Sequence, residues 1–189
     1  WYPGAQGGRA AAQLIFGDYS PSGRLPVTFY HNDDPMPEFT DYSMQGRTYR
    51  FMEYKPLYPF GYGLSYTRFA YSGLRVEAAE GKTRAYVTVE NTGAMDGDEI
   101  VQAYVHLENA AYPVPLRTLA AFERVSLKQG EKREVELALA PSTFYVYDDE
   151  GNRTVHKGAV RLWVGGHQPD ARSFELTGAE VLETVFEAK

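Results

Sequence analysis

Residues able to do chemistry gather most densely in Tyr42-Ser43-Met44-Gln45-Gly46-Arg47-Thr48-Tyr49-Arg50-Phe51, where aromatic rings meet two guanidinium groups. Arginine donates hydrogen bonds to hydroxyls, and Tyr or Phe faces stack on sugar rings, so Arg47, Tyr49 and Arg50 are candidates for the rim of a carbohydrate cleft. The alternative is structural: Arg47 and Arg50 pair with carboxylates or carbonyls and pin the segment in place. The run Asp148-Asp149-Glu150 imitates a metal site. Consecutive acids at a loop tip supply too few ligands for calcium, and the four histidines, His31, His106, His156 and His167, lack ligand spacing. No metal and no cofactor is expected.

Composition narrows the partners. The chain has 189 residues, a net charge of -6 and no cysteine, so disulfides and thiolate metal sites are excluded. An acidic balance repels nucleic acid and anionic membranes, and no run of about eighteen apolar residues occurs. Fifteen tyrosines and ten phenylalanines serve either aromatic packing in a β-sandwich or stacking platforms for sugars.

The pattern changes character near Phe69. Before it, Gly8 to Phe16 reads as one helix, with Ala10, Ala11, Leu14 and Ile15 near helical spacing and Gly17 as its stop. Leu25 to Phe29 reads as a short strand after the Pro21-Ser22-Gly23 turn. Tyr30 to Tyr66 is rich in Pro, Gly, Tyr and Asp without a sustained period, which predicts an ordered connector laid across a neighbouring surface. After Phe69, period-two segments predict strands at 70–77, 84–90, 98–106, 119–127, 131–139, 144–147, 153–155 and 159–164, separated by turn chemistry. The fold class expected is mainly β: an immunoglobulin-like sandwich preceded by an α/β remnant and the connector. The expected divisions are 1–29 for the α/β end, 30–68 for the connector, 69–178 for the sandwich and 179–189 for a tail.

Several of these stretches resemble one family. Trp1-Tyr2-Pro3-Gly4 with Gly7-Gly8, Leu14-Ile15-Phe16-Gly17-Asp18 and Pro21-Ser22-Gly23-Arg24-Leu25-Pro26-Val27-Thr28-Phe29 look like the close of the α/β-sandwich domain in family 3 glycoside hydrolases. Leu57-Tyr58-Pro59-Phe60-Gly61-Tyr62-Gly63-Leu64-Ser65-Tyr66-Thr67 resembles the family's lead into its fibronectin type III-like domain. Within that domain, Asn91-Thr92-Gly93, Gly97, Glu99 to Tyr104, Leu119, Phe122, Leu127 and Gly130-Glu131 repeat the family pattern. At Ala5-Gln6 many members have Gln-Glu, so no glutamate role carries over there.

The resemblance implies a retaining mechanism with two carboxyls about 5 to 5.5 Å apart, both borne upstream of Trp1. No residue of this chain is therefore expected to be catalytic. Asp18, Asp33, Asp34, Glu38, Asp41 and Glu53 are expected as turn-forming or solvated acids. The implied function is a non-catalytic C-terminal part of a retaining, exo-acting β-glycosidase; Met44 to Phe51 is similar in wording to the family's β-xylosidases and α-arabinofuranosidases, with much of it shared by β-glucosidases, which leans the implied substrate toward xylosides. Its implied partners are the parent's catalytic domains and, through them, an oligosaccharide or aryl glycoside. A carbohydrate-binding sandwich and an adhesion or protein-interaction sandwich are the alternatives.

Overall fold

Alternating side chains in the second half of the chain build two antiparallel sheets. In the computed structural model, which describes residues 2–32, 34, 37–79 and 81–188, strands β1 (Phe69–Ala79), β2 (Lys82–Asn91) and β5 (Lys132–Leu139) form one sheet in the order β1-β2-β5. Strands β4 (Thr118–Leu127), β3 (Gly97–Leu107), β8 (Gly158–Gly165) and β9 (Leu182–Ala188) form the other, ordered β4-β3-β8-β9. A separate hairpin pairs β6 (Tyr145–Tyr147) with β7 (Arg153–Val155). The expectations placed on Trp1 and Asp33 fall outside the described residues.

The core is a direct consequence of period two. In β2, Ala85, Val87 and Val89 are fully buried while Tyr86, Thr88 and Glu90 between them are not. Val135, Leu137 and Leu139 do the same on β5, and the register sets Val87 beside Val135 and Ala85 beside Leu137. Val101, Ala103, Val105 and Leu107 of β3 and Val160, Leu162 and Val164 of β8 supply the facing layer. Each such burial contributes about 1.5–3 kcal/mol against chain entropy. The acids at 148–150 sit in the β6–β7 loop, where Asp148 accepts hydrogen bonds from the backbone and side chain of Asn152 at 2.7 and 3.0 Å.

Helix α1 (Gly7–Ile15) forms where the sequence predicts it, but none of its residues is buried. The stretch from Leu25 to Phe29 does not become a strand. Proline at 26 removes a donor, and only an isolated bridge between Phe29 and Tyr58 forms, with Leu25 exchanging backbone bonds with Tyr62 and Gly61. Residues 179–189, expected as a tail, contain β9, which pairs along its length with β8. Its alternation is complete: Leu182, Thr184, Phe186 and Ala188 turn inward, whereas Glu183, Val185 and Glu187 face out. Before it lies helix α3 (Ala171–Thr177), begun by an Asp170 side chain that accepts from the Arg172 and Ser173 amides and ended by Gly178.

Candidate functional site at the seam of connector and sandwich

The outward face of β3 is unusual for a sandwich strand, because it is buried as well. Gln102 and Tyr104 point away from the core, and the connector covers both. The Gln102 amide donates to the Gly61 carbonyl at 3.1 Å and the Gly166 carbonyl at 2.8 Å, and its oxygen accepts from the Tyr104 hydroxyl at 2.6 Å. Gly61 has a left-handed backbone, φ +80, and a Cβ there would meet Gln102 and Tyr104 at 2.5 Å. Gly63, next but one, would drive a Cβ into the Gly23 carbonyl. The Gly61-Tyr62-Gly63 motif is thus a requirement for close backbone approach.

A second tie joins the leading segment to the sandwich. Arg24 donates to Glu99 at 2.5 Å and to the Gly166 carbonyl at 3.1 Å, and the Tyr71 hydroxyl donates to the other Glu99 oxygen at 2.7 Å. Among the described residues Glu99 is the one buried carboxyl group. Burial raises its pKa, with the Arg24 guanidinium the strongest opposing influence. Burial, then the Glu99 charge, pushes the Tyr71 hydroxyl well above its ordinary value. A carboxylate whose two oxygens are both engaged in this way is a fastening. Farther along, the fully buried Asn91 receives the Thr67 hydroxyl at 2.6 Å and donates to the Met95 and Leu127 carbonyls, which explains Asn91-Thr92-Gly93 as a clasp.

The three candidate rim residues lie on or beside helix α2 (Thr48–Phe51). Arg47 donates to the Asp41 carbonyl at 2.6 Å and the Glu38 carbonyl at 3.3 Å, tying the loop to itself. The Tyr49 ring stacks on Phe60 at 4.2 Å and stands edge-on to Tyr104 at 6.1 Å, while its hydroxyl accepts from the Leu119 amide at 3.1 Å. Arg50 is exposed, with its guanidinium over the Phe51 ring at 5.8 Å. The structure therefore gathers Tyr49 into the seam and leaves Arg50 accessible. Of the connector acids, Asp34 accepts from the His31 amide and Asp41 from the Ser43 amide, both turn geometries, and the Ser43 bond lowers the Asp41 pKa. Among the described residues no group of three or more His, Asp or Glu could hold a metal ion.

The sequence reasoning missed the Arg24–Glu99–Tyr71 fastening and the role of Gln102. Neither is signalled by spacing, since Arg24 and Glu99 are 75 positions apart. A polar residue within an otherwise apolar strand was the available clue.

A three-on-four antiparallel sandwich, joined through glycine-tight contacts to a mostly irregular leading segment, defines a fibronectin type III-like module with a second segment packed on it. Residues 1–66 match the glycosyl hydrolase family 3 C-terminal domain, and residues 99–168 match the fibronectin type III-like domain. A xylan 1,4-beta-xylosidase of Xylanibacter ruminicola is 44% identical over 155 residues, covering 80% of this chain and 18% of that protein. A periplasmic beta-glucosidase of Salmonella typhimurium is 32% identical over 194 residues, covering 93% of this chain and 25% of that protein. The crystal structure of DesR, a beta-glucosidase from Streptomyces venezuelae, superposes with a TM-score of 0.82 at 29% identity, covering all of this chain and 26% of that one. The chain belongs to glycoside hydrolase family 3, as a C-terminal region with its fibronectin type III-like domain. It spans about a fifth to a quarter of the length of these relatives.

Proposed function

We propose that this chain is the non-catalytic C-terminal part of a retaining, exo-acting β-glycosidase, in which the sandwich buttresses the catalytic domains and the connector borders the substrate cleft. One observation carries the reading. The family 3 segment is fastened to the sandwich through Arg24, Glu99 and Gln102, yet it leaves Ile15 and Phe16 of the α1 region 78% and 83% exposed. Apolar side chains displayed on a fastened support suit a further protein surface. Arg50, exposed beside the anchored Tyr49, is the best placed of the three candidates for contact with a sugar at the rim. The similarity to a xylosidase favours xylosides as the parent's substrates.

The test is hydrolysis of chromogenic β-xyloside and β-glucoside by the purified 189-residue chain. No turnover is expected, because no pair of acids here is assigned to nucleophile and acid/base roles. Turnover that persists through purification in proportion to the polypeptide overturns the reading.

A further inference from the structure

His167 follows the end of β8 and is 6% exposed. Both of its ring nitrogens are opposed by carbonyl oxygens. Nδ1 lies 2.9 Å from the Gln168 carbonyl, and Nε2 lies 3.1 Å from the Ala179 carbonyl. A carbonyl only accepts, so each nitrogen has to donate, and a neutral imidazole has a single N–H to give. The Thr177 hydroxyl, 3.2 Å from Nε2, does not supply the missing proton. It donates to the Ser173 carbonyl at 2.8 Å and accepts from the Ala179 amide at 3.1 Å. A bare ring nitrogen would therefore face a carbonyl in a buried place, an arrangement that is costly and scarce in folded proteins.

The surroundings suit a cation. Glu99 of β3 packs against the neighbouring Gly166, where a Cβ would run into its Oε1, and its carboxylate faces the His167 charge. The ring also sits past the C-terminal end of α3, the end of a helix that favours positive charge. Of the other charged or titratable groups packed there, Arg24 and Tyr71 are both bonded to Glu99, and Asp170 is committed to the amides at the start of α3. Arg68 and Glu180 line the same cleft from exposed positions, where solvent screens them.

We propose that His167 is held as the imidazolium and acts as a proton-dependent latch on the seam between the leading segment and the sandwich. With two N–H groups it ties the link between α3 and β9 to the end of β8; with one it must release a carbonyl. The residue before it is Gly166, whose carbonyl accepts from Arg24 at 3.1 Å and from Gln102 at 2.8 Å, so the release passes to the contacts that carry the leading segment. An unfolded histidine gives up its second proton near pH 6.5. Because the folded chain keeps that proton, the contribution of the latch is complete below about pH 6.5 and is lost as pH rises. The inference stands on the fold and does not depend on the proposed role in a glycosidase.

Nitrogen-15 NMR of the His167 ring in the intact 189-residue chain tests it directly. Both ring nitrogens are expected to carry protons at pH 7, and a bare nitrogen at that pH overturns the latch. His167→Gln, which keeps one donor but no charge, should lower the urea midpoint at least about twofold more at pH 6 than at pH 9 relative to the parent chain. Equal deficits at the two pH values overturn it. The amides of Leu25 and Gly61, which bond across the leading segment, report on the seam. Corrected for intrinsic rates, their exchange should quicken by about fivefold from pH 6 to pH 9 in the parent chain and be fast at both in His167→Gln. Protection that the two chains share at both pH values overturns the coupling to the seam.

Discussion

The sandwich and the segment preceding it place their apolar side chains in opposite ways. From Phe69 onward, valines, leucines and alanines alternate into a closed two-sheet core with many fully buried members. Before Thr67, the buried hydrophobics are few, Met52 and Tyr62, while Tyr2, Ile15, Phe16, Phe39 and Tyr42 are 78% or more exposed. The first region is stabilised by its own burial. The second is held by polar fastenings and tight glycine contacts to a support it did not build. This difference separates a self-supporting module from a segment carried on it, and the candidate residues lie where the two meet.

The contrast can be broken from either side. Leu162→Ala removes a fully buried side chain opposite Val105; a loss of about 4 kcal/mol is expected, read as a lower urea midpoint with unchanged slope. Arg24→Met leaves Glu99 buried without its cation, at a cost of about 3 kcal/mol at pH 7. The sign of its pH dependence follows from burial. The folded Glu99 pKa is raised, so its contribution to stability is complete below the unfolded value of about 4.3 and is lost as pH rises through the folded value. Without Arg24 the folded value rises further. Denaturation at pH 5 and pH 7 should therefore show a smaller deficit for Arg24→Met at pH 5, and parallel profiles would contradict the fastening. At the small end, Ile15→Ser combined with Phe16→Ser should change the unfolding free energy by no more than about 0.5 kcal/mol, because both side chains already meet solvent.

How much could be read from the residues divides along the same line. Strands whose alternation was unbroken, such as Arg84 to Glu90, are legible because one face must be buried and period two states which. Strand β9 is equally periodic, but a short terminal run carries little weight until its partner β8 is in view. Helix α3 is bracketed by Asp170 and Gly178, local signals that seven residues of weak periodicity do not reinforce. The seam was not legible at all in its particulars. Arg24 with Glu99, and Gly61 with Gln102, come from distant stretches that no local rule brings together; only the resemblance of the glycine-rich motif hints that the backbones approach there. Tyr49, picked out as a rim residue, shows the complementary difficulty: an aromatic ring beside guanidinium groups reads alike whether it faces a sugar or packs on Phe60.

Amide hydrogen exchange on the intact 189-residue chain tests the central claim most directly. The account predicts that amides of β2, β3 and β8 exchange only with global unfolding, while those of α1 exchange orders of magnitude faster through local opening. Protection of the α1 amides equal to that of β3 would contradict it, and would make the leading segment part of the same cooperative body as the sandwich.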